Sequence, residues 1–287
     1  MREFEYFEPA TIDEAVALLH NCKGKASVLA GGTDLLVQIK EHVRHPDHVV
    51  NIKKLPGLDD LVYDEEKGLR IGALVTTRAV ETSPIVRKLY PSLAKAVTDF
   101  ASIQVRNRAT VVGNICRASP SADSLPPLIA DGAWVRVHGP KGVRIVGLDG
   151  FFTGPGRTSL EQDEIVTHVM IPPPKPHTGK VYIKHGRRIQ MELATVGVAV
   201  TLTLEDGVCS DARIVLAAVA PTPIRATRAE TLLRNTRLDT PTVCDAAQAA
   251  KEEARPISDV RGSDAYRRQM VAVLTRRAIE QAIKEAQ

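Results

Sequence analysis

Two stretches of the sequence gather residue types suited to holding a phosphate-bearing ligand. In the first, Gly31-Gly32-Thr33 follows the apolar run Ala26–Ala30, which reads as a short strand. Paired glycines let backbone N–H groups approach an anion with no side chain in the way. Thr33 is expected to cap the helix that follows over Thr33–Lys40 and so to aim its first-turn amides at the same point. The same three residues equally describe a plain tight turn with an N-cap. In the second stretch, a strand is expected from Arg108 to Ile115, ending at Gly113-Asn114. Ser119, Ser121 and Asp123 then supply hydroxyl and carboxylate groups before Pro126-Pro127. A polar loop of this kind suits ribityl hydroxyls and a diphosphate, or it is a surface loop in which Asp123 or Ser124 caps a helix over Leu125–Ala130. Lys184, on an expected strand Lys180–His185, either places a charge on a ligand or is an ordinary exposed strand lysine, with Val181 and Ile183 facing the other way.

Other chemistries find less support. The phosphate loop G-x-x-x-x-G-K-S/T is absent, and Gly154-Pro155-Gly156 begins like a dinucleotide fingerprint but lacks its third glycine and a following helix, so it reads as a turn. His42, His45 and His48 are close in sequence, but Pro46 interrupts any helical face that could gather them on a metal. Ser119, His168 and Asp123 are the residue types of a hydrolase triad, yet no G-x-S-x-G elbow presents a nucleophile. The cysteines Cys22, Cys116, Cys209 and Cys244 are far apart, with no C-x-x-C pair. They read as reduced thiols, mostly small buried hydrophobes, and not as ligands of an iron–sulfur cluster.

The elements that must carry these residues follow from pattern. Thr11-Ile12-Asp13-Glu14 is a capping box, with Ile12, Ala15, Val16 and Leu19 at helical spacing behind it. The Ala26–Ala30 strand, the glycine turn, the helix and a strand over His48–Ile52 make a strand–helix–strand unit, for which parallel pairing is the default. Further on come a strand Leu69–Leu74, a helix Pro91–Phe100 with proline at its start, and strands at Trp134–Val137, Arg144–Val146 and Glu164–Ile171. Pro172-Pro173-Pro174-Lys175-Pro176 marks a boundary, since such a run cannot continue a strand ladder. Beyond it, Val198, Val200, Leu202 and Leu204 alternate with Ala199, Thr201, Thr203 and Glu205. Asp206-Gly207 and the strand Ala212–Val219 complete a hairpin signature. Helices are expected at Ala226–Leu233, Thr242–Ala254 and Ser263–Ala286, the last with Tyr266, Met270, Val273, Leu274 and Ile279 on one face.

Composition sets the outer limits. At 287 residues the chain is one large domain or two. Hydrophobic residues are 44% and charged residues 25%, ordinary for a globular protein and unlike a disordered or coiled-coil chain. The 38 basic residues exceed the 34 acidic ones by too little to make a nucleic-acid stripe, and 4% aromatic content argues against base-stacking platforms. Apolar runs fall short of the ~20 residues of a membrane span, and Met1-Arg2-Glu3-Phe4-Glu5 carries acids where a signal peptide is basic and then apolar. The expectation is a cytoplasmic protein with no nucleic-acid partner and no membrane span.

Taken in this order, the two glycine-containing segments resemble the FAD-binding (medium) subunit of the molybdenum hydroxylase family, which includes carbon monoxide, nicotinate, quinoline and xanthine dehydrogenases. Val28-Leu29-Ala30-Gly31-Gly32-Thr33-Asp34-Leu35-Leu36 looks like the family's first FAD motif. Ala109-Thr110-Val111-Val112-Gly113-Asn114-Ile115, with Ala118-Ser119-Pro120 and Asp123, looks like its second. Glu164-Ile165-Val166 and the strand with Lys184 match in place, so the resemblance covers the whole chain. One departure is Val112, where the family usually has a further glycine. The resemblance implies an α+β fold: a two-subdomain FAD-binding domain over residues 1–176 (about 1–55 and 56–176), then a small domain of three antiparallel strands plus helices over 177–287. It implies non-covalent FAD, because the first motif holds no histidine. Leu29, Ala30, Gly31, Gly32, Thr33, Asp34, Leu35, Thr110, Gly113 and Asn114 would hold the cofactor, with Asp123, Val166 and Lys184 near its ring end. It implies no catalytic residue and no metal in this chain. A large molybdopterin subunit with the molybdenum cofactor and a small subunit with two 2Fe-2S clusters would be the partners, in a dimer of heterotrimers. Electrons would then pass from the clusters through FAD to NAD, a quinone or another acceptor. A standalone flavin oxidase, or a structural subunit without FAD, are the competing classes.

Overall fold

The computed structural model describes residues 3–188 and 191–287; Met1 and Arg2, part of the amino-terminal stretch read above, lie outside them. Strands Glu5–Phe7, His48–Asn51 and Ala26–Leu29 form, in that order, a parallel sheet. The expected strand–helix–strand unit pairs as anticipated, with Ala26 opposite His48 and Leu29 opposite Asn51. Glu5–Phe7 is too short to have announced itself by alternation. Helix Ile12–Asn21 precedes the glycine turn; Thr11 accepts from the Glu14 N–H at 3.2 Å and the Glu14 carboxylate reaches back to the Ala10 N–H at 2.7 Å.

A second, antiparallel sheet runs Leu61–Asp64, Gly68–Gly72, Ile165–Ile171, Trp134–Gly139 and Gly142–Gly147. Helices fill the crossover from its second strand to Trp134–Gly139. The expected Pro91 helix spans Pro91–Asp99, and Thr77–Thr82, Pro84–Leu89 and Ile103–Arg106 join it. One expectation fails here: Arg108–Ile115 is not a strand. Val111–Arg117 is a helix, because Thr110 caps it by accepting from the Gly113 N–H at 2.9 Å. Local capping outweighs the β preference of Thr110-Val111-Val112.

After Ile171 the proline run is irregular, and the Tyr90 hydroxyl donates to the Pro172 carbonyl at 2.9 Å. A third sheet, antiparallel and in chain order, comprises Thr178–His185, Val196–Glu205, Val208–Ala217 and a two-residue fourth strand, Ile224–Arg225, beyond the three expected. Asp206 and Gly207 turn the hairpin at φ 51° and 74°, the left-handed pair a two-residue loop needs. Helices Thr227–Leu233, Thr240–Glu253 and Asp264–Ala286 follow. The long helix buries Arg267, Val271, Leu274, Thr275, Ala278, Ile279, Ala282 and Ala286. Leu274 and Ile279 of the expected face are among them and Met270 packs against the same core, whereas Tyr266 is 45% exposed. The helix comes closest to the sheet at Ala282, where a Cβ on Gly179 would meet the Ala282 carbonyl oxygen. One core underlies the first two sheets and takes in Tyr182, Ala199 and Val215 of the third; a second core lies between the third sheet and its helices.

Candidate functional site

Gly31 brings the two glycine-containing segments into contact. A Cβ there would lie 2.1 Å from the Arg108 carbonyl oxygen and 3.0 Å from Ala109 Cα, so only glycine lets these backbones touch. Gly32 is glycine for another reason, a left-handed φ of +77°. The chain then enters helix Leu35–Lys40. Thr33 does not cap it: Asp34 holds the N-cap position without a side-chain cap bond, and the Leu36 N–H bonds back to the Gly32 carbonyl at 3.1 Å. The left-handed Gly32 turns the chain so sharply that the helix starts two residues later than its pattern suggests.

On the facing side, Thr110 begins helix Val111–Arg117, and Gly113 has no side chain because one would press on Thr110 Oγ1 at 2.8 Å. The Ser124 hydroxyl donates to Asn114 Oδ1 at 2.6 Å, which fixes the amide and leaves Asn114 Nδ2 as a donor. Arg117 reaches across to Asp34, Nε to Oδ1 3.1 Å, and ties the segments together. The hairpin Phe152–Gly154 with Arg157–Thr158, containing the Gly154-Pro155-Gly156 turn, closes a third side; the Gly156 N–H donates to the Ala118 carbonyl at 2.9 Å.

These elements enclose a cavity of about 360 Å³. Ala30, Gly31, Gly32, Thr33, Asp34, Leu35, Thr110, Gly113, Asn114 and Val166 line it. Leu29, Asp123 and Lys184 do not. Leu29 packs beneath with Leu35, Ile39 and Val49. Asp123 is buried behind the wall, accepting from the Tyr182 hydroxyl and the Lys184 ammonium at 2.8 Å each. Burial pushes the Asp123 carboxyl above its ordinary range while these two donors pull it part of the way back, and burial beside Asp123 raises the Tyr182 hydroxyl strongly. Lys184 is therefore charge-paired, neither a free ligand cation nor an exposed strand lysine; it also donates to the Asp99 carbonyl at 3.0 Å.

Sequence reasoning missed several wall residues. Phe100 is an aromatic surface with nothing in its local sequence to mark it; Arg44 and Arg117 add positive charge, and Glu164 adds a carboxylate. Arg144 donates through Nε and Nη2 at 2.6 Å each and holds Glu164 below the usual carboxylate range. Cys116 opens onto the cavity and is otherwise surrounded by protein, which pushes its thiol up to about 12. The hydrolase triad does not assemble, since His168 Nε2 pairs with the Gly57 carbonyl at 3.0 Å and Asp123 is committed elsewhere. Of the three histidines, His48 pairs with Glu5 at 3.1 Å, and among the described residues no group of metal-ligating side chains forms.

Bare backbone at two glycine-marked segments, an amide donor on Asn114, arginines and an aromatic wall define a site for a phosphate-linked, ring-bearing cofactor, and FAD fits that set. Comparison with known proteins agrees. Residues 2–174 match the FAD binding domain in molybdopterin dehydrogenase, and residues 181–282 match the CO dehydrogenase flavoprotein C-terminal domain. The chain is 37% identical over 283 residues to the xanthine dehydrogenase FAD-binding subunit of Escherichia coli, covering 98% of this chain and 96% of that one. It is 35% identical over 279 residues to the carbon monoxide dehydrogenase medium chain of Hydrogenophaga pseudoflava, covering 97% and 96%. The solved carbon monoxide dehydrogenase of Hydrogenophaga pseudoflava superposes with a TM-score of 0.94 at 36% identity, covering 98% of this chain and 97% of that one. The chain belongs to the family of FAD-binding medium subunits of molybdenum hydroxylases. The expected α+β fold with an antiparallel C-terminal unit holds, with FAD as the family's cofactor.

Proposed function

We propose that this chain is the electron relay of a molybdenum hydroxylase, holding FAD non-covalently between Ala30–Asp34 and Thr110–Arg117. The observation that carries this reading is the contact of Gly31 with the Arg108–Ala109 peptide, which joins the two segments into one cradle. Bound FAD supplies the capacity to take up electrons singly and release them in pairs. The protein's share would be to bind and orient: backbone amides and Asn114 Nδ2 would hold the diphosphate, Arg44 and Arg117 would offset its charge, and Phe100 and Val166 would flank the apolar ring. Asp123 and Lys184 serve the ring end from behind the wall, and Leu29 sets the floor beneath the first segment. Domain limits at 1–176, with subdomains near 1–55 and 56–176, and 177–287 are part of the same reading. The relay receives electrons from two 2Fe-2S clusters in a small partner subunit, fed by the molybdenum cofactor of a large one, within a cytoplasmic dimer of heterotrimers. It delivers them to NAD, a quinone or another acceptor.

Reconstitution tests this. The FAD-loaded chain alone, mixed anaerobically with aldehyde, purine or N-heterocycle substrates, should keep its oxidised flavin spectrum. Addition of the large and small subunits should let one substrate class bleach it. Bleaching of the isolated chain at the rate of the full complex would overturn the relay and favour a standalone oxidase. A purified chain that takes up no FAD would favour the structural-subunit reading.

A further inference from the structure

The strand Thr178–His185 presents Lys180, Tyr182 and Lys184 on one face, because alternate strand residues share a face. That face rests on the segment from Asp123 to Asp131, which contains the short helix Leu125–Ala130. At one end Tyr182 and Lys184 both hold Asp123. At the other, Lys180 Nζ lies 2.9 Å from Asp131 Oδ1, the two side chains being 5% and 1% exposed. Thr201 Oγ1 donates to the same oxygen at 3.0 Å, and the ammonium stands 4.6 Å above the Tyr90 ring. Asp131 Oδ2 is buried with no partner among the described residues, so Lys180 is the cation on which that carboxylate depends. Four strand residues span about 13 Å, so the two pairs pin opposite ends of one strand face.

The clasp reaches the cavity through its neighbours. Asp123 is followed by Ser124, which orients Asn114, and Lys184 bonds the carbonyl of Asp99, which precedes Phe100. Both Asn114 and Phe100 are cavity-wall residues. Apolar contacts between a sheet and a helix survive a slide of an ångström or two. A buried ion pair resists it, because sliding strands a charge without its partner.

We propose that Lys180 and Asp131 are positioning residues for the FAD cavity: as the far pin of a two-pin clasp, they fix where the C-terminal sheet rests along Asp123–Asp131 and thereby where Asn114 and Phe100 stand. The proposal rests on FAD occupying the cavity between the glycine-marked segments. It separates placement from stability, since an apolar pair of similar volume would restore packing without restoring a unique position.

The full-length chain tests it as Lys180→Met, Lys180→Met with Asp131→Leu, and Thr201→Val. Three quantities are read: the FAD dissociation constant, the melting temperature without FAD, and the visible circular dichroism of bound flavin. Lys180→Met should weaken FAD binding about tenfold or more and lower the melting temperature. The double variant should regain the melting temperature but not the affinity, and its flavin dichroism should stay altered. Thr201→Val should weaken binding in the same direction by a smaller factor. If Lys180→Met does not fold, the other two variants carry the test. Affinity and dichroism that return to wild type along with the melting temperature in the double variant would overturn the proposal. So would wild-type binding in all three. A wild-type chain that binds no FAD would instead defeat the cofactor reading itself.

Discussion

Replacing Gly31 by alanine adds one methyl at the point where the two segments meet. That carbon would sit 2.1 Å from the Arg108 carbonyl oxygen. Non-bonded heavy atoms settle near 3.5 Å, so one backbone must retreat by more than about 1 Å. The Arg108 side resists, because the Thr77 N–H donates to the next carbonyl, Ala109, at 2.8 Å. Overpacking of this kind typically costs ~1–3 kcal/mol of stability. An ångström of displacement also breaks hydrogen-bond geometry to a diphosphate. Losing one charge-assisted bond, worth ~1.5–3 kcal/mol, lowers FAD affinity roughly tenfold to a hundredfold. Gly32→Ala is the internal control: it forces a side chain onto φ +77° and meets only the ends of Leu29 and Leu36, at 3.0 and 3.2 Å. It should cost about 1–2 kcal/mol of stability with a much smaller loss of affinity. Calorimetric FAD titration and thermal unfolding of both variants make the comparison. Wild-type affinity in Gly31→Ala would refute the cradle.

Two further predictions concern the cavity wall. Val112 is 3% exposed and packed in the core, although it also borders the cavity. Val112→Gly should therefore lower stability by about 2–4 kcal/mol, from lost burial and helix propensity, and leave FAD affinity unchanged; tighter FAD binding at an unchanged melting temperature would show that Val112 crowds the cofactor. Glu164 has its carboxyl held down by Arg144, so the folded chain binds fewer protons than the unfolded one as pH drops through the carboxylate range. Its contribution is full above about pH 5 and fades as pH falls through the lowered folded value, so stability of the wild type should fall more steeply there than that of Glu164→Gln, and parallel slopes would contradict this.

Legibility in the sequence followed the range of the interactions. Thr11–Glu14, the strand–glycine–helix–strand unit and the Asp206-Gly207 hairpin could be read because capping, pairing and turn chemistry are local. The glycines of both segments were visible as residues that forgo a side chain. The reason for Gly31 was not, because its neighbour is Arg108, far along the chain. Thr110-Val111-Val112 misled through β-branched composition, where one hydroxyl and one glycine N–H decide for helix. Lys184 was singled out, but its pairing with Asp123 needed the fold, and so did the place of Phe100 on the cavity wall. The Asp264–Ala286 helix was found with part of its buried face, Leu274 and Ile279, but not the buried alanines Ala278 and Ala282, the latter close to Gly179, because alanines carry little weight in a hydrophobic pattern.

The central claim is that FAD sits in the cavity between Ala30–Asp34 and Thr110–Arg117. Cys116 reports on it most directly, because its thiol opens onto that cavity, whereas exposed Cys244 lies in the helix Thr240–Glu253 of the C-terminal region. Alkylation of the full-length chain, followed residue by residue by mass spectrometry, gives the rate at each cysteine with and without saturating FAD. The account predicts that FAD slows modification of Cys116 by about tenfold or more and leaves Cys244 unchanged. Equal rates at Cys116 in the presence and absence of bound FAD would place the cofactor elsewhere and contradict it.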